Sequence, residues 1–151
     1  MNSALAKLSV VAPFYNESPS AAHFASLLGD FARAVEDRFG LSFQAVLIDD
    51  GSTDDSAAAF AQALSGDWKI VRLSRNFGKE VALLAGIDNA DGDLVMLMDA
   101  DLQHSLDTAL LMVAKLVEDP EIDVVHAVRS DRREEGWRRT QLARLFYKLI
   151  N

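Results

Sequence analysis

Two aspartates spaced one residue apart follow a strongly apolar stretch in the middle of the chain. Residues 94–98 are all apolar, and Asp99 and Asp101 come directly after them. A carboxylate at the end of a buried strand is costly unless a cation or a hydrogen-bond donor pairs with it. Carboxylate oxygens are the ligands that Mg²⁺ and Mn²⁺ prefer, and such an ion keeps open positions for phosphate oxygens. Taken alone, the two aspartates are also typical of a turn or a helix cap. Their position directly after an apolar strand favours a site for a divalent cation and a phosphorylated ligand.

Short apolar runs alternate with helical patterns along the whole chain, and this alternation must position the two aspartates. Runs that are apolar throughout are typical of parallel strands covered on both faces. The alternation predicts βαβ units and an α/β fold with a mostly parallel, doubly wound sheet. The predicted strands are residues 8–12, 45–48, 70–73, 94–98 and 124–128, and the predicted helices are residues 20–39, 54–64, 79–90 and 105–118.

Polar residues collect where the predicted strands end. In open α/β sheets, ligands bind beyond the carboxyl ends of the strands. Carboxylates, an aromatic ring and cations at five such ends predict a ligand cleft rather than an ordinary polar surface. The clusters are residues 13–17, 49–52, 74–79 and 99–103, together with Arg129.

Composition excludes several classes of protein. The 151 residues suffice for one domain with a sizeable core, and the absence of cysteine excludes disulfides and thiolate metal sites. The apolar runs are too short to span a membrane, and the N-terminus has the pattern of a first strand rather than of a signal peptide. These features favour a cytoplasmic protein. The net charge of −8 argues against nucleic acid as the main partner.

The end of the chain differs from the rest in its charge and pattern. Residues 129–148 contain seven basic and three acidic residues, although the whole chain is acidic. A basic amphipathic helix of this kind lies on an anionic membrane surface or against a partner, or it packs on its own sheet, and these alternatives remain open. We therefore expect a domain at residues 1–130 and a tail at residues 131–151, truncated before membrane helices. The apolar stripe of the tail consists of Trp137, Leu142, Leu145, Phe146, Leu149 and Ile150.

Two other protein classes also place paired acids after a strand. A phosphatase of the haloacid dehalogenase type has Thr or Val where this chain has Gln103, and its motif follows the first strand, so we reject it. A phospho-receiver domain has paired acids after its first strand, whereas Asp49 and Asp50 follow the second strand here. The receiver class remains as a non-enzyme alternative.

Five ordered segments resemble the sequence blocks of family 2 glycosyltransferases of the GT-A fold. The nearest resemblance is to polyisoprenyl-phosphate glycosyltransferases, which include dolichol-phosphate mannose synthase and the bactoprenol glucosyltransferases. The resemblance implies a Rossmann-like GT-A sheet flanked by helices, with a C-terminal amphipathic helix. The segments are VVAPFYNE, IDDGSTDDS, LSRNFGKEVALLAGIDNADGD, MDADLQ and VRSDRREEGWRRTQLARLFYKLIN.

The resemblance also assigns roles in binding a nucleotide sugar. It implies that Pro13, Tyr15 and Glu17 line the donor nucleotide, and that Asp49 accepts a hydrogen bond from the base. It places Leu47 and Ala100 in the same donor site. Asp50 and Gly51 are expected to shape the turn after the second strand instead.

The remaining roles concern the diphosphate and the metal. By resemblance, Asp101 is the principal ligand of Mg²⁺ or Mn²⁺, Asp99 contacts ribose or a metal-bound water, and Gln103 adds a metal or phosphate contact. Lys79 offers a positive charge to phosphate, and Arg129 meets the pyrophosphate or the acceptor phosphate. The catalytic set is therefore Asp99, Asp101, Lys79 and Arg129. His104 keeps two interpretations, a sugar or metal contact and an exposed loop residue.

The implied reaction moves a sugar from a nucleoside diphosphate to a polyprenyl phosphate with inversion at the anomeric carbon. UDP is favoured over GDP because of the resemblance to the bactoprenol branch. Two alternatives remain: a donor-binding fragment that is inactive in isolation, and a soluble family 2 transferase with a saccharide acceptor. The tail implies contact with a membrane surface, at the cytoplasmic face of the inner membrane in a full-length protein. Assembly of the chain into a homo-oligomer is left open.

Overall fold

The computed structural model describes residues 5–100 and 106–128, in which four strands alternate with four helices. The strands are β1 (Lys7–Phe14), β2 (Ser42–Asp49), β3 (Trp68–Arg72) and β4 (Leu94–Leu97). The helices are α1 (Ala21–Phe39), α2 (Ser56–Ala63), α3 (Lys79–Asp88) and α4 (Leu106–Glu118), and a short 3₁₀ helix (Ser18–Ser20) precedes α1. The first four strands and all four helices predicted from the sequence are confirmed, with boundaries that differ by a few residues.

The four strands form one parallel sheet in the order β3-β2-β1-β4. The register pairs Asp49 with Phe14 on one side and with Arg72 on the other. At the far side of β1, Val11 pairs with Leu97, the last residue of β4. The carboxyl ends of all four strands therefore meet at one edge of the sheet, which is where the polar clusters were expected.

Two apolar layers cover the sheet, one on each face. Helices α1, α2 and α4 pack on the first face around buried side chains that include Phe24, Phe31 and Phe60. On the second face, α3 packs its Ala82 against a smaller cluster that contains Val11. The aromatic ring of Phe60 also contacts that of Phe14, with 4.5 Å between their centroids. The end of β1 is thus fixed in the core directly before the polar turn that follows it.

A buried polar network fixes the turn that leads into β4. The Ser9 hydroxyl donates to Gln44 Oε1 at 2.8 Å, and Gln44 Nε2 donates to Asp91 Oδ2 at 2.8 Å. The amide of Gly92 donates to Ser9 Oγ at 2.9 Å. The buried side chains of Ser9 and Gln44 are therefore hydrogen-bonded to each other and to the partly exposed turn, as buried polar groups require. The network holds β4 in register and so places the residues that follow it.

The prediction of a fifth strand at residues 124–128 is wrong. Residues 124–128 form no strand, and Val124 and Val128 are 77% and 78% exposed. A run of apolar residues indicates a strand only if a neighbouring backbone supplies ladder hydrogen bonds, and the sequence pattern does not identify that neighbour. The predicted amphipathic helix at residues 137–151 lies outside the described residues. Within the described ranges, no helix has the length and hydrophobicity needed to cross a membrane.

Candidate functional site

A cavity of about 390 Å³ opens at the carboxyl ends of the strands. Six residues predicted to bind the donor line it, and they come from the end of β1, from the turns after β1 and β4, and from the start of α3. Four further lining residues were not predicted as ligand contacts. The predicted six are Pro13, Tyr15, Glu17, Lys79, Asp99 and Ala100, and the additional four are Phe14, Asp50, Asn76 and Gly78.

Hydrogen bonds tie the turn after β1 to the turn after β2. The amide of Asn16 donates to Ser52 Oγ at 3.0 Å, and the amide of Thr53 donates to Asn16 Oδ1 at 2.8 Å. The amide of Glu17 donates to Ser56 Oγ at 2.7 Å. Asn16 itself has a φ of 54°, a left-handed conformation that asparagine tolerates better than most residues. These contacts hold the backbone between Tyr15 and Glu17 at the wall of the cavity.

The side chains of this turn carry an aromatic ring and a carboxylate to the cavity. Tyr15 is 43% exposed, although large aromatic residues are usually more buried. Glu17 Oε2 accepts a hydrogen bond from the Ser20 hydroxyl at 3.0 Å, which orients the carboxylate. The ring offers a stacking surface, and the carboxylate offers acceptors for hydroxyl groups.

The cavity lining also contains an ion pair between α3 and the segment after β4. Lys79 Nζ lies 2.5 Å from Asp99 Oδ1. Lys79 is the first residue of α3, and Asp99 lies two residues beyond the last residue of β4. Both side chains are partly exposed, at 56% and 34%, so each can contact a ligand in the cavity. A cation and an anion of the predicted catalytic set therefore meet at this wall.

The structure places two predicted donor residues away from the cavity lining. Leu47 is fully buried in the core that packs against α1, α2 and α4. Asp49 is also fully buried, and its Oδ1 accepts a hydrogen bond from the amide of Ser52 at 2.7 Å. Arg72 Nε lies 3.1 Å from Asp49 Oδ2, yet no hydrogen bond from the described residues reaches this oxygen. Asp49 thus keeps one buried acceptor that is not hydrogen-bonded.

Asp50, which the sequence assigned to its own turn, contacts a different loop. Its two carboxylate oxygens accept hydrogen bonds from the amides of Phe77 and Gly78, in the loop before α3. No signal in the sequence indicated this contact, because the residues are 27 and 28 positions apart. The remaining predicted site residues, Asp101, Gln103, His104 and Arg129, lie outside the described residues.

The described part of the predicted metal site fits a hard divalent cation in its chemistry. Asp99 supplies a carboxylate that opens on the cavity, and Mg²⁺ and Mn²⁺ are held by few protein oxygens with the remaining positions left to phosphate. Within residues 5–100 and 106–128, no group of three or more acidic or histidine side chains is arranged to hold a metal ion. The proposed site therefore depends on Asp101 and Gln103 in addition to Asp99.

Parallel strands with a polar cavity at their carboxyl ends define an open α/β domain of the class that binds its ligands at this edge of the sheet. The chain belongs to glycosyl transferase family 2, whose sequence pattern matches residues 9–151. This membership confirms the resemblance seen in the sequence, and the phospho-receiver alternative is wrong.

Two relatives illustrate how similar the family members are. An uncharacterized glycosyltransferase of Synechocystis sp. is 38% identical over 148 residues, a match that covers 95% of this chain and 44% of that protein. The undecaprenyl-phosphate 4-deoxy-4-formamido-L-arabinose transferase of Enterobacter sp. is 37% identical over 150 residues, covering 97% of this chain and 44% of that protein. The chain therefore spans less than half the length of these relatives.

A solved structure confirms the fold. The mannosyltransferase of Pyrobaculum calidifontis, in complex with GDP-Man and Mn²⁺, superposes with a TM-score of 0.66 at 26% sequence identity. The match covers 89% of this chain and 39% of that protein. The parallel sheet flanked by helices is thus of the GT-A type, as the resemblance implied.

Proposed function

We propose that the chain is the donor-binding catalytic portion of a metal-dependent, inverting glycosyltransferase with a polyprenyl phosphate acceptor. The observation that carries this proposal is the ion pair of Lys79 and Asp99 at the wall of a cavity that Tyr15 and Glu17 also line. Positive charge, carboxylates and an aromatic ring are the groups that a nucleoside diphosphate sugar requires. The name of the Enterobacter relative supports an undecaprenyl phosphate acceptor.

The turns after β1 and β2 are proposed to bind the nucleoside. Tyr15 would pack on the base or the ribose, and Glu17 would accept hydrogen bonds from the ribose hydroxyls. The buried oxygen of Asp49, which lacks a hydrogen bond in the described residues, would accept from the N3–H of uracil or the N1–H of guanine. Arg72 Nε lies 3.1 Å from this oxygen without forming a hydrogen bond, so a base N–H would supply the hydrogen bond that the oxygen lacks. We favour UDP over GDP because the sequence resembles the bactoprenol branch.

The transfer step is proposed to need little proton chemistry from the protein. An acceptor phosphate oxygen bonds to the anomeric carbon as the bond from that carbon to the diphosphate oxygen breaks, with inversion. A phosphate monoester is largely dianionic at neutral pH because its second pKa is about 6, so it needs no general base. Lys79 would stabilise the negative charge on the leaving nucleoside diphosphate. A bound Mg²⁺ or Mn²⁺ at Asp99, Asp101 and Gln103 would supply Lewis-acid stabilisation of the same charge.

Outside the described residues, Arg129 is proposed to contact the pyrophosphate or the acceptor phosphate. The basic tail at residues 131–151 is proposed to contact an anionic membrane surface beside the domain at residues 1–130. This contact would place the protein at the cytoplasmic face of a membrane. Binding of the chain to vesicles containing anionic phosphatidylglycerol, and loss of that binding in 1 M salt, tests the contact. Equal binding to neutral vesicles would contradict it.

The length of the relatives favours a second candidate, a donor-binding portion that does not turn over by itself. The chain spans 44% of the Enterobacter transferase, and the activity in that protein's name is that of the whole transferase. Transfer of labelled sugar to undecaprenyl phosphate by this chain distinguishes the two candidates. Transfer to a soluble saccharide instead would indicate a soluble family 2 transferase whose acceptor is a saccharide rather than a lipid phosphate.

Calorimetric titration tests the donor and metal sites directly. UDP and GDP are each titrated with and without Mn²⁺ into the wild type, into Asp101→Ala and into the surface control Asp88→Ala. We expect UDP to bind more tightly than GDP, Mn²⁺ to strengthen binding, and Asp101→Ala alone to remove the effect of Mn²⁺. Failure of both nucleotides to bind, or binding that ignores Mn²⁺ and Asp101, would refute the proposal.

A further inference from the structure

The 74–78 loop lies between β3 and α3 and is held by the carboxylate of Asp50, which follows β2. Asp50, which directly follows β2, is 5% exposed. Its Oδ1 accepts a hydrogen bond from the amide of Phe77 at 2.8 Å, and its Oδ2 accepts one from the amide of Gly78 at 3.0 Å. Each oxygen thus holds one of two consecutive amides. Hydrogen bonds to a charged acceptor are stronger than those between neutral groups, so this double contact fixes the loop backbone.

The neighbour of Asp50 is shaped to admit the same loop. Gly51 has a φ of +73°, and a Cβ at this position would lie 2.3 Å from the carbonyl carbon of Arg75 and 2.6 Å from the amide nitrogen of Asn76. Any larger residue would therefore push the loop backbone away. Asp50 and Gly51 act together, since one attracts the loop and the other leaves the space that it occupies.

The position of this loop determines where Lys79 lies. Gly78 immediately precedes α3, and Lys79 is the first residue of the helix. A carboxylate at Asp50 is also favourable beside the positive end of the α3 dipole. Because the amides of Phe77 and Gly78 are held, the backbone that carries Lys79 toward Asp99 is held with them. The hydrogen bonds of Asp50 therefore connect the end of β2 to the ion pair of Lys79 and Asp99.

We infer that Asp50 is a positioning residue that sets diphosphate affinity by holding the 74–78 loop, and thereby Lys79, at the cavity wall. This inference rests on the proposed function in one respect, the binding of a diphosphate by Lys79. The holding of the loop is independent of any ligand.

Amide hydrogen exchange, measured by NMR on the ligand-free chain, tests the holding of the loop. In Asp50→Asn, only one strong acceptor remains, so we expect the amides of Phe77 and Gly78 to exchange at least tenfold faster than in the wild type. The control Asp55→Asn changes an exposed carboxylate in the next turn and should leave both rates unchanged. Unchanged exchange in Asp50→Asn would overturn the inference, whether or not the protein binds nucleotides.

A double-mutant cycle on UDP affinity tests whether Asp50 acts on the diphosphate by positioning Lys79. We expect Asp50→Asn to weaken UDP binding about tenfold, and the double variant with Lys79→Gln to bind as weakly as Lys79→Gln alone. Additive losses would instead indicate that Asp50, which also lines the cavity, contacts the ligand itself, and would overturn the positioning role. Faster exchange with unchanged UDP affinity would overturn it as well. If the wild-type protein binds neither UDP nor GDP, the proposed function fails, while the exchange experiment still decides whether Asp50 holds the loop.

A second variant displaces the loop without removing a charge. Gly51→Ala should accelerate exchange of the Phe77 and Gly78 amides and weaken UDP binding as Asp50→Asn does. Gly66→Ala is the matched control, because Gly66 also has a positive φ of +81° but a Cβ added there would meet no heavy atom within 4 Å. Equal effects of the two alanine variants on these amides would contradict the role of Gly51.

Discussion

Lys79 Nζ and Asp99 Oδ1 lie 2.5 Å apart, and this ion pair joins the start of α3 to the segment after β4. Because both side chains are partly exposed, the pair contributes at most about 1 kcal/mol to stability. The same exposure lets either member exchange its partner for a ligand group. The pair is therefore better suited to binding charge in the cavity than to stabilising the fold.

Replacing Lys79 should weaken the binding of a diphosphate without unfolding the protein. We expect Lys79→Gln to reduce the affinity for UDP about tenfold or more and to leave the affinity for uridine unchanged, because uridine carries no phosphate. The free energy of unfolding should change by less than about 1 kcal/mol. Calorimetry with both ligands and urea unfolding measure these effects. Lys115→Gln, on the exposed side of α4, is the control, and an equal loss for uridine and UDP would contradict the prediction.

Replacing Asp49 should affect the base rather than the phosphates. In Asp49→Asn, the amide oxygen must take the place of Oδ1 to accept from the Ser52 amide. An NH₂ group then stands where Oδ2 was, and a donor cannot accept from a base N–H. We expect about tenfold weaker UDP binding, with tripolyphosphate affinity unchanged. Equal weakening of both ligands would show that Asp49 acts on the phosphates or on the loop.

The elements of the fold could be predicted because each one is encoded locally. The buried residues of α1, such as Phe24, Leu28 and Phe31, recur at spacings of three and four, and β1 is apolar nearly throughout. The strand at residues 124–128 could not be decided in this way. An apolar run indicates burial, but the pairing that makes it a strand depends on a distant segment.

The candidate site could be predicted in part for the same reason. Tyr15, Glu17, Lys79 and Asp99 follow strands or begin a helix, so the parallel topology alone brings them to one edge. The role of Asp50 could not be read from the sequence, because its partners are backbone amides and every residue except proline offers one. The family resemblance implies that Leu47 contacts the donor, whereas its position in β2 turns the side chain into the core.

Two glycine-to-alanine changes, one in the closely packed α3 and one on the open side of α1, should have opposite effects on stability. A Cβ at Gly86 would lie 2.1 Å from Val11 Cγ1, so Gly86→Ala should destabilise the protein by about 1–3 kcal/mol despite its better helix propensity. Gly29, in α1, has only the end of the Arg33 side chain within 4 Å. Gly29→Ala should stabilise the protein by about 0.4–1 kcal/mol. Urea unfolding measures both, and stabilisation by Gly86→Ala would contradict the packing.

The turn before β4 predicts a dependence of stability on pH. Asp93 Oδ2 accepts hydrogen bonds from the amides of Ala6 and Lys7, at 2.8 and 3.1 Å, and these bonds lower the pKa of Asp93 below its ordinary value of 3.8. A carboxyl group whose pKa is lower in the folded state stabilises the fold above its unfolded pKa, and this stabilisation is lost as the pH falls through the folded pKa.

Asp93→Asn tests this dependence. The variant should be less stable than the wild type at pH 7, and the difference should shrink as the pH falls below 3.8, because a protonated Asp93 and an asparagine are then nearly alike. Urea unfolding of both proteins at intervals between pH 7 and pH 3 measures the difference. Asp88→Asn, an exposed change at the end of α3, should show no such trend. A difference between wild type and Asp93→Asn that stays constant across this range would mean that the charge of Asp93 does not strengthen its bonds to the start of β1.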